Sequence, residues 1–166
     1  MDDPVTIRPL RPDDDRSRFS CGNDDLDAYF KTVAGQVLSI GNAGVHVAVA
    51  GGEVVGFVVT IASQIFSTEL PPGTKRWLPT VVPVLRLGRL GVATAWQGQG
   101  VGADLVRHAL EQALVVRPVA GCLGVLVEAI PSAVDFYRRY GFEAIEQDSG
   151  DGLTRLILPL DTYEKA

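Results

Sequence analysis

The sequence is poor in the side chains from which metal, redox and histidine-based catalytic sites are made. Its 166 residues include two cysteines and two histidines, Cys21, Cys122, His46 and His108. The cysteines lie far apart and lack the short spacings of metal-binding or redox motifs, and a reduced cytosolic protein would keep them as thiols. We therefore expect no metal site, and we interpret Cys122 as a small core residue.

Long apolar runs and an excess of basic charge are absent as well. Gly, Pro or charged residues interrupt the apolar segments before they reach the roughly 18 residues of a membrane-spanning helix. The N-terminal MDDPVTIRPLRPDDD lacks the basic and apolar parts of a secretory signal. The net charge of −5 argues against a protein-wide attraction to nucleic acid but leaves a local basic patch open. We expect a cytoplasmic protein that makes no membrane contact.

The apolar pattern predicts strands and helices that alternate in the C-terminal half. Two β-rich runs flank Gly51-Gly52 and predict a hairpin, since glycines accept the positive φ angles of a tight turn. Residues 84–93 predict a central strand, and residues 102–116 predict an amphipathic helix. We interpret residues 63–83, which contain four prolines, as a long loop. These elements predict one α/β domain over residues 1–166.

The segment QGQGVG, residues 97–102, contains three glycines and leads into the helix predicted at residues 102–116. A helix N-terminus presents backbone N–H groups that lack partners, and its dipole favours an anion. Glycines there allow a phosphate to approach the main chain closely, so the segment predicts a phosphate cradle. The spacing fits neither a Walker nor a Rossmann pattern. A tight turn without a ligand is the alternative interpretation.

Two motifs, QGQGVG at residues 97–102 and DFYRRYGF at residues 135–142, taken together resemble those of the GNAT family of N-acetyltransferases. QGQGVG is similar to the family signature Q/R-x-x-G-x-G/A, and DFYRRYGF is similar to its xxYxxxGF motif. The matching residues are Gln97, Gly100, Gly102, Tyr137, Gly141 and Phe142. The resemblance covers nearly the whole chain. It implies the GNAT fold, a central mixed, mostly antiparallel twisted sheet of six to seven strands with helices on both faces.

Two further segments resemble a toxin-like branch of this family. FSCGNDDLDAYF is similar to the branch's F-x-C-G-x-x-x-L-D-x-(F/Y) opening, and VPVLRLGRLGV to its P-x-P-x-x-x-L-x-R-L-A-V strand. Known members act with a small ribbon-helix-helix antitoxin and acetylate the amino group of aminoacyl-tRNA. The resemblance implies acetyl-CoA as co-substrate, aminoacyl-tRNA as acceptor and such an antitoxin as partner. A homodimer is an open alternative for the assembly.

The resemblance also implies where the co-substrate binds. The backbone amides of the glycine-rich segment would hold the pyrophosphate of CoA, and the pantetheine arm would pair with the central strand like an added strand. The implied cofactor-binding residues are Leu90, Gly91, Val92, Gln97, Gly98, Gln99, Gly100, Val101, Gly102 and Phe136. Tyr137 would be the catalytic general acid that protonates the leaving thiolate, with a packed aromatic side chain as the alternative interpretation.

Arginines around these motifs are candidates for acceptor binding. We assign this role to Arg86, Arg89 and Arg138, with Lys75, Arg76 and Arg139 as further members of a basic patch. The alternative is that each is a solvated surface charge. Glu53, Glu69 and Glu128 are candidate general bases. However, an α-amino group has a pKa of about 8, and an adjacent ester lowers it, so a dedicated base is unnecessary for aminoacyl-tRNA.

Two other functions stay open at this point. One keeps the fold and the co-substrate but acetylates a small-molecule amine or a protein N-terminus, which the acidic net charge favours. The other is a CoA-binding interaction module without turnover, against which Tyr137 argues. A nucleotide-binding protein is disfavoured because the sequence has no Walker lysine and no Mg²⁺-ligand motif.

Overall fold

The computed structural model describes residues 4–71, 77–145 and 151–165. The strands in this part of the chain are β1 (Thr6–Pro9), β2 (Gly44–Ala50), β3 (Glu53–Phe66), β4 (Val81–Val92), β5 (Gly124–Ala129), β6 (Glu143–Ala144) and β7 (Thr154–Pro159). The α-helices are α1 (Asp24–Thr32), α2 (Ala34–Ser39), α3 (Val101–Ala120), α4 (Val134–Arg138) and α5 (Leu160–Lys165). Short 3₁₀ turns precede β4, α3 and α4.

The strands form one sheet in the order β1-β2-β3-β4-β5-β7-β6. The pairs β1–β2, β2–β3, β5–β7 and β6–β7 are antiparallel, whereas β4 and β5 are parallel. The predicted fold class, a mixed and mostly antiparallel sheet of six to seven strands with helices, is therefore confirmed. The predicted central strand is β4, the fourth of the seven described strands.

Backbone contacts divide the described residues into two compact units. Those within the ranges 1–61 and 88–109 form the first unit, and those within 62–87 and 110–166 form the second. The first unit has an aromatic core, in which the rings of Phe30 and Phe57 stack with centroids 4.2 Å apart and Phe19 meets both rings edge-on. The second unit has an aliphatic core that includes Ile65, Leu126, Ile157 and neighbouring valines. That residues 1–166 form a single domain stays a prediction.

Local sequence signals account for the helix start and the hairpin. The side chain of Asn23 accepts a hydrogen bond of 3.1 Å from the backbone N–H of Leu26, which makes it the N-cap of α1. Gly51 and Gly52 have φ angles of 56° and 79°, as a two-residue hairpin turn requires. Val33 is both the C-cap of α1 and the N-cap of α2, so it divides this part of the chain into two helices.

The predicted loop at residues 63–83 is wrong at both ends. β3 continues to Phe66 with side chains that alternate between exposed and buried, and β4 begins at Val81. The backbone N–H of Ser67 donates to the carbonyl of Thr80 at 2.9 Å and joins the two strand ends. The sequence interpretation assigned these residues to a loop because of the four prolines, although the alternation extends the strand. Lys75 and Arg76 of the predicted basic patch lie outside the described residues.

The C-terminal helices also extend beyond the prediction. α3 continues to Ala120 and contains Pro118, which has no N–H to donate to the carbonyl of Leu114, and the positive φ of Gly121 follows the helix directly. Its predicted apolar face is confirmed, because Leu105, Val106, Ala109, Leu110 and Ala113 are buried. The sequence interpretation missed α5. None of the described helices combines the length and apolar composition needed to cross a membrane.

Candidate active site

Residues 97–100 form an exposed turn directly before α3 in the first unit. Gly98 and Gly100 have φ angles of 77° and 89°, which L-residues with a side chain rarely adopt. The first helical hydrogen bond runs from the N–H of Asp104 to the carbonyl of Gly100 at 3.1 Å. The helix geometry consequently supplies no carbonyl partner for the N–H groups of its first three residues.

The space in front of this turn can accept an anion. A Cβ atom built on Gly98 or Gly100 meets no atom within 4 Å. Glycine is therefore required here by the backbone angle, and the main-chain donors stay accessible from that side. The N–H groups of the first turn lie at the positive end of a helix of 20 residues, which suits a diphosphate, so the donor set fits the CoA pyrophosphate.

Gln97 is in the predicted position, but its side chain is turned toward the protein. Its Nε2 donates to the carbonyl of Cys21 at 2.8 Å and to the carbonyl of Val92 at 2.9 Å. The amide group of Gln97 thus holds two backbone segments together. Only the main chain of Gln97 is left to meet a ligand in this arrangement.

The predicted pantetheine strand is the end of β4. The parallel register with β5 covers Leu85–Leu87, and Gly88–Val92 extend beyond it. Gly91 is buried, and a Cβ at this position would lie 2.7 Å from Cε1 of Phe57 and 3.5 Å from Sγ of Cys21. The backbone at Leu90–Val92 is therefore packed directly on the aromatic core. An extended ligand can add to a strand end that has no further partner on one side.

Tyr137 lies on α4 in the second unit and is 6% exposed. Its ring packs edge-to-face against Phe136 and Phe142, with centroids 5.0 and 5.6 Å apart. Burial raises the pKa of Tyr137 well above the usual value of a phenol. The hydroxyl is consequently protonated over the physiological pH range, as a proton donor must be. The packing also agrees with the alternative interpretation, and the catalytic role stays a prediction.

The three arginines assigned to acceptor binding have different surroundings. In the second unit, Arg86 forms a 3.2 Å ion pair with Glu128, and Arg138 is exposed on α4. In the first unit, the guanidinium of Arg89 lies 4.0 Å from the ring centroid of Tyr29. Tyr29 was not assigned a role from the sequence, because an aromatic on the apolar face of a helix predicts a core residue.

Two of the three candidate bases are engaged in ion pairs in the second unit. Glu128 pairs with Arg86 and is opposite Arg155 in the β5–β7 register. Glu69 pairs with Arg155 at 3.5 Å and also accepts a hydrogen bond from the N–H of Phe66. The third candidate, Glu53, is exposed at the start of β3. Among the described residues, no cluster of three or more potential metal ligands is present.

Comparisons with known proteins agree with this arrangement. The family model described as an acetyltransferase (GNAT) domain matches residues 41–144. A relative named tRNA-acetylating toxin, from Mycobacterium tuberculosis, is 31% identical over 142 residues, which cover 85% of this chain and 86% of the relative.

Solved structures of related proteins show the same fold. AtaT complexed with acetyl-methionyl-tRNAfMet superposes with a TM-score of 0.89 at 26% identity, and each chain is covered to 98%. A mutant of the AtaT toxin bound to acetyl-CoA and to the C-terminus of the antitoxin AtaR has a TM-score of 0.78 at 25% identity. That comparison covers 97% of this chain and 96% of the other. With the family model matching more than half of its residues, the chain belongs to the GNAT family of acetyl-CoA-dependent N-acetyltransferases.

Proposed function

We propose that this enzyme transfers the acetyl group of acetyl-CoA to the α-amino group of aminoacyl-tRNA and thereby blocks translation. The observation that carries the proposal is the exposed turn at residues 97–100, whose glycine φ angles open the N-terminus of α3 to a diphosphate. The relative named tRNA-acetylating toxin supports the choice of acceptor. We expect the reaction to take place in the cytoplasm, where charged tRNA is found.

In the proposed mechanism the main chain binds the co-substrate. The amides of Gln97 to Gly102 hold the pyrophosphate, and the end of β4 at Leu90–Val92 aligns the pantetheine arm, with Phe136 as a further contact. A backbone N–H of that strand segment donates to the thioester carbonyl and stabilises the oxyanion that develops there. The thioester supplies an activated acetyl group.

Tyr137 supplies the proton that completes the transfer. As the amine nitrogen bonds to the carbonyl carbon, the C–S bond breaks, and the phenol of Tyr137 donates its proton to the departing sulfur. Burial raises the pKa of Tyr137, so the phenol keeps its proton until the sulfur departs. The amine then loses its own extra proton to solvent, and the phenolate of Tyr137 regains a proton from solvent.

The ion pairs of the second unit favour an acceptor amine that is already neutral. Glu69 and Glu128 accept hydrogen bonds from cations or from the main chain, and removing a proton from substrate would disrupt these contacts. The α-amino group of an aminoacyl ester needs no such base at pH 7. A lysine side chain, with a pKa of about 10.4, would need one. Arg86, Arg89 and Arg138 are proposed to contact phosphates of the tRNA.

Labelled acetyl-CoA and a mixed pool of charged tRNA test the proposal. We expect label in tRNA that is lost on mild alkaline hydrolysis of the aminoacyl ester, and no label in deacylated tRNA. Label in peptides or small amines instead would establish the alternative acceptor. CoA binding without release of free thiol would establish the binding module.

The same proposal includes a protein partner and an oligomeric state. A mutant AtaT toxin has been solved with the C-terminus of its antitoxin, so we propose a co-encoded antitoxin for this enzyme, of the ribbon-helix-helix type, and leave a homodimer as the proposed oligomer. Growth arrest on induction, with rescue by the neighbouring gene, is the expected outcome. Normal growth would count against both the partner and the tRNA acceptor.

A further inference from the structure

The FSCG segment at residues 19–22 has no role in the proposed mechanism, although it matches the toxin-like branch. Its thiol is not a candidate nucleophile, because burial and the adjacent Asp27 raise the pKa of Cys21 and keep the thiol protonated. The segment does contact the end of β4 and the turn that follows. The backbone N–H of Thr94 donates to the carbonyl of Ser20 at 2.9 Å.

The peptide groups of Cys21 are held from both sides. On the carbonyl side, Nε2 of Gln97 donates at 2.8 Å. On the amide side, Oδ1 of Asp27, a carboxylate that is only 9% exposed, accepts from the N–H of Cys21 at 2.9 Å. Asp27 belongs to the first turn of α1, and Gln97 belongs to the exposed turn at residues 97–100, which we call the cofactor turn. A continuous chain of hydrogen bonds therefore runs from α1 through Cys21 to Gln97.

The second hydrogen bond of Gln97 extends this chain to β4. The same Nε2 donates to the carbonyl of Val92 at 2.9 Å, and Gln97 therefore ties residue 21 and residue 92 to its own backbone. Gly91, next to Val92, is the residue whose missing Cβ leaves room for Phe57 and for Sγ of Cys21. The Cys21 segment and the end of β4 therefore fit each other by close packing as well as by hydrogen bonds.

We infer that Asp27 and Gln97 are positioning residues that hold the cofactor turn through the Cys21 peptides. Neither side chain needs to touch CoA, and each acts by fixing where the amides of residues 97–102 point. The inference rests on the proposed function, because it assumes that these amides bind CoA. It explains why an amide side chain stands at position 97 and an aspartate at position 27.

Replacing Gln97 by methionine tests the inference. Gln97→Met keeps the length of the side chain, removes both donors and adds no charge near the diphosphate. We expect the Kd of CoA, measured by calorimetry, to rise about fivefold to tenfold, the scale of one or two lost hydrogen bonds. The kcat at saturating acetyl-CoA should stay within about twofold, since a positioning effect on cofactor binding appears in KM. The matched control is Gln36→Met on the exposed face of α2, which should leave both values unchanged.

Variants of Asp27 test the amide side of the chain. Asp27→Asn keeps an oxygen acceptor for the N–H of Cys21 and should bind CoA nearly as the parent does, whereas Asp27→Leu should weaken binding as Gln97→Met does. The double variant should weaken binding by less than the product of the two single effects, because both variants release the backbone of the same residue, Cys21. If Asp27→Leu fails to fold, the CoA affinities of Asp27→Asn and Gln97→Met still test the inference.

The outcomes separate this inference from the proposed function. An unchanged Kd for Gln97→Met, with or without a change in kcat, would overturn the inference while leaving the cofactor turn in place. Additive effects in the double variant would overturn the link through Cys21. Absence of CoA binding by the parent protein would instead refute the proposed function.

Discussion

The turn at residues 97–100 exposes main chain, whereas α4 buries a side chain. In the turn, four consecutive residues are open to solvent and two of them are glycines with positive φ. On α4, the ring of Tyr137 lies between other aromatics and is almost fully buried. The first arrangement offers donors that are fixed by backbone geometry, and the second offers one titratable hydroxyl. The two regions should therefore respond to different kinds of substitution.

The largest effect is expected from Tyr137. Tyr137→Phe keeps the packing of the ring and removes the proton donor, so kcat should fall about a hundredfold to ten-thousandfold while the Kd of acetyl-CoA changes less than about twofold. Steady-state kinetics and calorimetry together measure this separation. Phe142→Leu, which alters the packing beside Tyr137 but leaves its hydroxyl, serves as the comparison. Unchanged turnover in Tyr137→Phe would remove the hydroxyl from the mechanism.

A charge in the cofactor turn should have the next largest effect, and this effect should appear in the Kd of CoA, whereas the effect of Tyr137→Phe appears in kcat. Gly100→Asp places a carboxylate beside the expected diphosphate and strains a φ of 89°, so the Kd of CoA should rise about a hundredfold or more. Gly52→Asp is a matched control, because this hairpin glycine has a φ of 79° and likewise meets nothing within 4 Å. The control should lose stability by a similar amount and keep its affinity. Equal losses of affinity in both variants would show that strain alone is responsible.

The same contrast explains what the sequence could predict. Gly98, Gly100 and Gly102 lead into a predicted helix, so the local sequence predicted an anion site and left a tight turn without a ligand as the alternative. Tyr137 could not be found in this way, because its neighbours Phe136 and Tyr140 have the same local pattern. Only the family motif distinguished it from them.

The hydrogen-bond partners of Gln97 and Arg86 could not be predicted from the sequence, and the reason is physical. Gln97 and Cys21 are 76 residues apart, and no local periodicity reports a contact between two loops. Arg86 lies within the predicted central strand, but its partner Glu128 is on the neighbouring strand β5, 42 residues away along the sequence. The prolines of residues 63–83 led to a wrong prediction, because they indicated a loop where strand pairing extends β3 to Phe66 and begins β4 at Val81.

Two glycines, one in each unit, should differ in how much folding free energy an added methyl group costs. A Cβ on Gly124 would lie 2.5 Å from the carbonyl oxygen of Leu158 and 3.0 Å from Cα of Pro159, atoms of the paired strand that cannot move separately. A Cβ on Gly91 would meet the ring of Phe57, a side chain with more freedom. We expect urea denaturation to show a loss of about 3 kcal/mol for Gly124→Ala and about 1–2 kcal/mol for Gly91→Ala. The reverse order would mean that the stacked aromatic core is more rigid than the strand pair.

The smallest expected effect concerns pH, and it is confined to the first unit because both histidines of the chain belong to it. The rings of His46 on β2 and His108 on α3 have centroids 4.3 Å apart, and burial, with a contribution from His108, lowers the pKa of His46 to about 4. Since the unfolded chain binds a proton at an ordinary pKa of 6.5, the free energy of unfolding should fall as pH drops from about 6.5 to about 4, and level off below.

The size of this loss should be about 1–2 kcal/mol, because the ring is only half-buried. Amide hydrogen exchange at pH 5 should accelerate first in β2 and in the first turns of α3, while the paired strands β5 and β7 of the second unit keep their protection. His46→Leu should remove most of the pH dependence in this range. A variant that still loses the same stability between pH 6.5 and 4 would show that a group other than His46 causes the acid sensitivity in this range. Asp14, whose pKa the hydrogen-bonded ion pair with Arg8 lowers to about 2, should contribute only at lower pH, as the pH falls below its ordinary pKa of 3.8.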